Sequence, residues 1–152
     1  MMIVAVTRLH LRSVRFMPRM NWESLKIKRS AVEAPGFLGG RILSDRNYAY
    51  WTMTAWTDAD SMRAFRNSGA HATTALMLDK WCDEASVVNW ETEDHELPSW
   101  KEAHQRMTES GRRMPLTFQS ADHEAGRFRE PYWAKWREEI LVPRPSRDSI
   151  AA

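Results

Sequence analysis

The sequence predicts an α+β domain with the ferredoxin-like order β-α-β-β-α-β, an antiparallel sheet and both helices on one face. Three observations lead to this fold class. The first strand pattern has two faces of different character, two later strand patterns are joined by a short turn, and helical patterns separate the remaining strands. The chain has 152 residues, which is enough for one domain with a hydrophobic core.

Residues 2–16 are predicted to form a long strand, because successive residues fall on two faces that differ in character. One face carries Ile3, Ala5, Thr7, Leu9 and Leu11. The other face carries Val4, Val6, Arg8, His10, Arg12 and Val14. Such a strand suits a sheet that has helices on one side and a second environment on the other.

A helix and a hairpin come next along the chain. Pro18 is tolerated in a first helical turn, so a helix is predicted over residues 19–34. A proline-glycine turn then leads into a strand over residues 37–44. A short turn connects this strand to a segment rich in aromatic residues and threonine that ends at Trp56. The two strands are therefore expected to pair as a hairpin.

Two helices and a fourth strand complete the predicted sheet. Asp58 and Asp60 are candidate caps for the first of these helices, because a carboxylate can accept hydrogen bonds from free N–H groups. Gly69 is expected to end that helix, since glycine adopts a left-handed cap without steric cost. A second helical period runs over residues 71–81, and residues 84–92 are predicted to form the fourth strand.

The remaining residues form a C-terminal extension of mixed character. We predict a ferredoxin-like domain over residues 1–105 and a partly irregular extension over residues 106–152. Ser99, with a glutamate three residues later, is typical of the start of a short helix. Residues 132–141 fit either a strand or a helix, and residues 143–152 are predicted to be a loose tail.

Charge and cysteine content limit the classes of partner. A net charge of +2 gives no reason to expect binding to nucleic acid or to a membrane surface. The single cysteine, Cys82, excludes an internal disulfide and fits a reducing compartment. No apolar run approaches the roughly 20 residues that a membrane span needs. We therefore expect a cytoplasmic protein whose partners are a small molecule and a second copy of itself.

The sheet face that carries Val4, Val6 and Val14 is predicted to lack a helical layer. A face of this kind has to be covered. The simplest cover is a second copy related by two-fold symmetry, so we expect a homodimer built sheet against sheet. The alternative is that the C-terminal residues of the same chain fold back over this face.

Residues 50–71 contain four features in series: a tryptophan that closes a strand, an acidic cap, an aromatic residue in a helix, and Ser-x-x-His at its end, here Ser68 to His71. This stretch, YWTMTAWTDADSMRAFRNSGAH, is similar to the signature of the dimeric α/β-barrel superfamily, which includes antibiotic biosynthesis monooxygenases and haem-degrading monooxygenases. The segments AVTRLHL and EAPGFLGG fit as well. With KWCDEASVVNWE and LPSWKEA, the pattern looks most like an uncharacterised bacterial branch that includes relatives of spheroidene monooxygenase. The resemblance covers residues 1 to about 105.

The resemblance implies a dimeric α+β barrel and a monooxygenase-like oxidoreductase. Cofactor-free members of the superfamily oxidise electron-rich aromatic substrates directly with oxygen. Haem-degrading members have an asparagine at the position of Thr7, a tryptophan at that of Trp56 and an iron-ligating histidine at that of Ala75, and Trp56 alone agrees. Because alanine cannot ligate iron, no cofactor is predicted. Haem would require His71 to ligate it in a shifted geometry.

Five residues are candidate ligand-binding positions: Thr7, Phe37, Tyr50, Trp56 and His71. Phe37, Tyr50 and Trp56 could line an apolar cavity for a flat aromatic or polyene, or they could simply pack in the core. His71 could act as a pocket base or ligand, or it could only form a hydrogen bond at the start of its helix. No catalytic residue and no metal site is assigned.

Two further groups of residues have alternative interpretations. The basic row Arg8, His10 and Arg12 could hold an anionic ligand, or it could pair with acidic residues of a second subunit. Two functions therefore stay open. The first is a small-molecule monooxygenase-like enzyme with a pocket between sheet and helices. The second is a non-catalytic small-molecule-binding or stress-related protein on the same scaffold.

Overall fold

The structure, a computed structural model, describes residues 1–144, and residues 145–152 of the predicted loose tail lie outside the described residues. The strands are β1 (Met2–Leu11), β2 (Phe37–Ser44), β3 (Ala49–Trp56), β4 (Cys82–Thr92), β5 (Arg112–Arg113) and β6 (Glu138–Leu141). The helices are α1 (Met17–Glu33), α2 (Ala59–Arg66), α3 (Gly69–Trp81), α4 (Trp100–Ser110) and α5 (Ala121–Ala125). None of these helices is both long and apolar enough to cross a lipid bilayer.

The strands form one antiparallel sheet in the order β5-β4-β1-β3-β2-β6. The central order β4-β1-β3-β2, with α1 and the α2–α3 pair as crossovers, confirms the predicted ferredoxin-like class. The predicted hairpin is also confirmed, since β2 pairs with β3. In its turn Asn47 and Tyr48 take positive φ angles of 58° and 63°, which residues other than glycine seldom adopt.

The two helices after β3 follow the prediction except at the end of the first one. Asp58 caps α2 as predicted, because its carboxylate accepts a hydrogen bond from the Ser61 N–H at 2.7 Å. Gly69, however, does not end α2. That helix ends at Arg66 with Asn67 as its C-cap, and Gly69 is the first residue of α3. The predicted glycine cap was therefore wrong, although the break between two helices was placed correctly.

Helices α1, α2 and α3 cover the sheet face that carries the odd-numbered residues of β1. Two clusters of buried side chains lie on this side. The first comprises Ile3, Ala31, Phe37, Trp56 and Leu141. The second comprises Leu11, Met20, Leu78, Trp81 and Cys82. Between them, at the level of Ala5 and Thr7, the strands carry small side chains, and the cavity described below lies there.

In the structure the C-terminal extension begins directly after β4 and comprises the described residues 93–144, and it covers the opposite sheet face. The buried cluster on this side comprises Met2, Val4, Val6, Leu43, Trp51, Met53, Ala55, Val88, Trp100, Ala103 and Met107. Its last three members come from α4, which runs across the predicted domain boundary at residues 105 and 106. The prediction of a bare face was therefore wrong, and the alternative of an intramolecular cover is confirmed. Because Val4 and Trp51 are already fully buried within one chain, the predicted homodimer through this sheet face loses its physical reason.

Acidic residues of the same chain pair with the basic row on this face. The Arg8 guanidinium lies 2.5 Å from the Glu84 carboxylate, and the His10 Nδ1 atom lies 2.5 Å from the Asp83 carboxylate. Glu84 also accepts a hydrogen bond from the Ser120 hydroxyl. Burial raises the pKa of Glu84, but the hydrogen bonds from Arg8 and Ser120, together with the nearby charge of Arg8, lower it more, so the pKa is lowered overall. Arg8 and His10 are therefore paired with carboxylates of the same chain, whereas Arg12 donates a hydrogen bond to the Lys80 carbonyl at 2.7 Å and packs over the Phe118 ring.

The extension also completes both edges of the sheet. β5 pairs with β4, and β6 pairs with β2. Residues 132–141, for which strand and helix were both open, contain a single 3-10 turn at Lys135–Arg137 followed by β6. Glu138 of β6 accepts hydrogen bonds from the indole N–H groups of Trp100 and Trp133 at 2.7 and 2.6 Å. The bond from Trp100 connects the last strand to the start of α4, and the bond from Trp133 is local to the C-terminal segment.

Replacing Met107 by alanine tests whether α4 acts as a cover. Met107 is fully buried against the sheet, so Met107→Ala is expected to lower the free energy of unfolding by about 2–5 kcal/mol. Thr108 is exposed on the same helix, and Thr108→Ala should change the free energy by less than about 0.5 kcal/mol. Urea denaturation followed by tryptophan fluorescence measures both values. Equal effects in the two variants would show that α4 does not pack on the sheet.

Candidate functional site

The floor of the candidate site is a row of directly opposed residues that crosses all six strands described. From β5 to β6 the row reads Arg112, Val87, Thr7, Thr52, Ile42 and Glu139. Residues directly opposite each other in antiparallel strands point to the same face of the sheet. Since Thr7 is on the odd-numbered side of β1, the whole row faces the helices. A neighbouring row places Asn89, Ala5 and Thr54 on the same face.

A cavity of about 460 Å³ lies between this floor and helices α1, α2 and α3. Its volume falls in the usual range of small-molecule sites. Its walls are mainly apolar and include Ile27, Ala31, Met62, Phe65, Ala72 and Leu78. Its uncharged polar groups come from Thr7, Ser24, Thr52, Thr54, Asn67 and Asn89. Apolar walls with a few polar groups are typical of a ligand site rather than of an unfilled core.

Four rings in contact form one end of the cavity. Trp56 stacks on Phe65, with ring centroids 5.1 Å apart and an interplanar angle of 30°. Phe37 packs edge-to-face on Trp56 at 5.4 Å, and His71 packs in the same way on Phe65 at 5.3 Å. The Trp56 indole N–H donates a hydrogen bond to the Thr54 hydroxyl at 2.9 Å. The contacts among the four rings fix their orientation. Because its indole N–H is already bonded to Thr54, Trp56 has no free donor for a ligand.

His71 lines the cavity, and histidine is the side chain whose ordinary pKa lies nearest neutral pH. Burial is the main influence on its pKa and lowers it below 6.5. A hydrogen bond with the Arg66 backbone acts in the opposite direction, and the Arg66 charge lowers the pKa further. The Nδ1 atom is buried and has no hydrogen-bond partner among residues 1–144. At neutral pH the imidazole is therefore uncharged and able to accept a proton.

The structure brings three of the five predicted site residues together. Thr7, Trp56 and His71 all contribute to the cavity lining. Phe37 lies behind Trp56 in the buried core. Tyr50 lies two residues before Thr52 on the same face of β3 and packs against the buried cluster that contains Leu11 and Trp81. Phe37 and Tyr50 therefore lie outside the lining of this cavity, and ligand binding by any of the five residues stays a prediction.

Several residues of the cavity were not identified from the sequence. Thr52 and Thr54 follow from period-two spacing, because they precede Trp56 by four and two residues and so share its face of the strand. The position of Arg112 in the cavity could not be predicted from the spacing of residues in the sequence. It belongs to a strand of two residues, and its position opposite Val87 arises from pairing at the sheet edge.

The residues of the cavity do not fit a haem bound as in the haem-degrading monooxygenases. Ala75, at the position of the iron-ligating histidine, lines the cavity with a methyl group. Thr7 stands where the asparagine was expected, and a threonine hydroxyl cannot provide the paired donor and acceptor of an amide. His71 is held against Phe65. The cavity therefore lacks the residues that would hold haem in that way.

Several solved structures have the same architecture. A mutant of SnoaB from Streptomyces nogalater, a cofactor-independent oxygenase, is 17% identical, with a TM-score of 0.53 over 64% of this chain and 98% of that chain. A putative antibiotic biosynthesis monooxygenase from Nitrosomonas europaea is 12% identical, with a TM-score of 0.56 over 63% and 94%. This chain shares their fold. Rv0793 from Mycobacterium tuberculosis is 7% identical, with a TM-score of 0.58 over 64% and 100%.

The likeness to these oxygenases extends to the fold and, at such low identities, not to the activity. No protein-family model matches the sequence, and no curated protein matches it. Nearly all of each solved chain is covered, whereas about a third of this chain is not. This difference agrees with an extension beyond the ferredoxin-like elements, which end with β4. The relation to spheroidene monooxygenase stays a prediction.

An NMR titration of His71 tests the electrostatics of the pocket. We expect a pKa below 6.5, because burial disfavours the charged imidazolium. Arg66→Gln removes a neighbouring positive charge and is expected to raise the pKa of His71 while leaving it below 6.5, because burial is the larger cause. Arg29→Gln removes the same charge from an exposed position outside the cavity lining and should have no effect. A pKa of His71 at or above 6.5 in the unmodified protein would contradict its buried placement.

Proposed function

We propose that the chain is a small-molecule monooxygenase-like enzyme that uses no cofactor and oxidises an electron-rich aromatic substrate in the cavity above Thr7 and Thr52. The observation that carries the proposal is a mainly apolar cavity of about 460 Å³ with an uncharged imidazole in its wall. SnoaB, whose fold the chain shares, is named as a cofactor-independent oxygenase. A cavity filled by aromatic side chains would have favoured a purely structural role for the same residues.

The reaction class converts an activated methylene group of the substrate into a carbonyl. One oxygen atom of dioxygen enters the product, and the other leaves as water with the two hydrogens of the methylene. The substrate supplies all four electrons that reduce dioxygen, so no external reductant is required. His71 accepts the first proton, which leaves a carbanion conjugated with the aromatic ring. That carbanion reduces dioxygen and forms the new carbon–oxygen bond of a peroxide, which takes up the proton held by His71. Loss of the second methylene hydrogen then breaks the oxygen–oxygen bond, which releases water and leaves the carbonyl.

The other residues of the cavity position the substrate and exclude water. The hydroxyls of Thr7 and Thr52 can donate hydrogen bonds to a substrate oxygen as it gains negative charge. The small side chains of Ala72 and Ala75 leave space for a flat ring beside Phe65. Apolar walls keep water away from the carbanion, so that it reacts with dioxygen rather than being protonated by solvent.

The cavity lining is supplied by one chain. The homodimer and the cytoplasmic location remain predictions. The alternative function, a non-catalytic small-molecule-binding or stress-related protein, is favoured by one observation. No carboxylate from residues 1–144 lines the cavity to orient His71, whereas catalytic histidines usually have such a partner.

Oxygen uptake with a panel of anthrones and polyhydroxylated aromatics tests the proposal directly. We expect uptake without added haemin, flavin or metal ion, and incorporation of labelled oxygen from dioxygen into the product. The value of kcat/KM, which reports the free protein, should rise with pH as His71 loses its proton, with a midpoint below 6.5 because the pKa of His71 is lowered. His71→Gln retains the size and polarity but not the basicity, and it is expected to reduce kcat by about a hundredfold or more.

A pair of phenylalanine substitutions on α3 provides the matched control. Ala75→Phe fills the cavity and is expected to abolish both ligand binding and turnover, whereas Leu76 is 84% exposed, so Leu76→Phe should leave both unchanged. Binding of the aromatic panel without oxygen uptake would assign the non-catalytic function instead. Neither binding nor uptake by the folded protein would overturn the use of this cavity as a small-molecule site.

A further inference from the structure

The charged side chains of the cavity all have the same sign. Lys28, Arg66 and Arg112 line it, while within residues 1–144 no aspartate or glutamate does. The chain as a whole is nearly balanced, with 22 lysines and arginines against 20 aspartates and glutamates. The positive lining is therefore a local feature of the pocket and does not follow from a generally basic protein.

Of these three positive charges, one is paired with a carboxylate among the described residues and two are not. The Lys28 ammonium lies 2.7 Å from the carboxylate of Glu139, which occupies the β6 end of the floor row. Arg112 occupies the opposite end of that row, on β5. Neither the Arg66 nor the Arg112 guanidinium forms an ion pair or a hydrogen bond with the rest of the described chain. These two groups keep their full capacity to bind an anion.

We propose that Arg66 and Arg112 form an anion subsite of the cavity, so that its ligand is an aromatic compound with an acidic oxyanion group. The flat apolar body lies on the floor of Thr7 and Thr52, and the oxyanion points toward the two guanidinium groups. A guanidinium pairs with carboxylate or phosphate oxygens through two parallel N–H bonds, which fixes orientation as well as affinity. The inference rests on the proposed use of the cavity as a small-molecule site, but not on oxygen chemistry.

The two arginines come from different parts of the chain. Arg66 is the last residue of α2, within the ferredoxin-like elements. Arg112 belongs to the C-terminal extension, which also contributes Met114 and Leu141 to the cavity lining. The extension therefore shapes ligand choice as well as covering the opposite sheet face. A preference for an acidic ligand is the specific consequence of adding β5 beside β4.

An anionic ligand would also affect the acid–base group of the cavity. The Arg66 charge is one cause of the lowered pKa of His71. An oxyanion paired with Arg66 offsets that charge, so ligand binding is expected to raise the pKa of His71. A rise of this kind makes the imidazole a stronger base in the complex than in the free protein.

Calorimetric titration with naphthoate and with the uncharged, similarly shaped naphthamide tests the subsite. Naphthoate is expected to bind at least about tenfold more tightly, and this preference should decrease as salt concentration rises. Arg66→Gln and Arg112→Gln should each weaken naphthoate binding and leave naphthamide binding nearly unchanged. Arg29→Gln, which removes a charge outside the cavity, should leave both affinities unchanged.

The remaining outcomes separate this inference from the proposed function. Equal binding of naphthoate and naphthamide, blocked by Ala75→Phe, would overturn the anion subsite and leave the small-molecule site standing. No binding of either compound would overturn both. Naphthyl phosphate serves as the second anion. If the two arginine substitutions weaken its binding as well, the subsite is supported, and the tighter of the two anions identifies the oxyanion class.

Discussion

The alternation of side chains along β1 organises the whole molecule. β1 is a central strand, with β3 on one side and β4 on the other. Its odd-numbered residues face α1, α2 and α3, and its even-numbered residues face α4 and the extension. A shift of one residue in pairing would exchange these two environments. It would place Arg8 in the ligand cavity and Thr7 in the salt-bridge network, so both halves of the structure depend on this register.

The cavity exists because small residues meet across the helical layer. The floor presents Ala5 and three threonines, and α3 presents Ala72 and Ala75 above it. At either end of β1 the same layer is closed by large side chains, Trp56 in one cluster and Trp81 in the other. Protein interiors are normally packed to the density of organic crystals. A space left by small residues between two well-packed clusters is therefore better explained by a ligand than by imperfect packing.

The extension performs three physical tasks. It buries the second face of the sheet through Trp100, Ala103 and Met107. Its strands β5 and β6 pair with β4 and β2, which would otherwise be the edge strands of the sheet. It also supplies Ser120, whose hydroxyl donates a hydrogen bond to the Glu84 carboxylate and lowers the pKa of that group against the effect of burial. The argument for a symmetric partner on this face assumed that only another copy could supply such a cover. A chain with about fifty further residues can supply it from within.

Local patterns in the sequence determined the order of strands and helices, the break between α2 and α3, and the Asp58 cap. They also identified Thr7, Trp56 and His71 as candidate ligand-binding residues. Each of these results follows from the spacing of neighbouring residues. The same spacing could have located Thr52 and Thr54. Tertiary structure alone decided that Tyr50 lies outside the cavity and that Arg112 lines it. It also decided that residues of α4 cover the second sheet face and that Glu84 pairs with Arg8. Those outcomes depend on which distant segments come together, and a contact between segments far apart in the chain has no periodic signature in either of them.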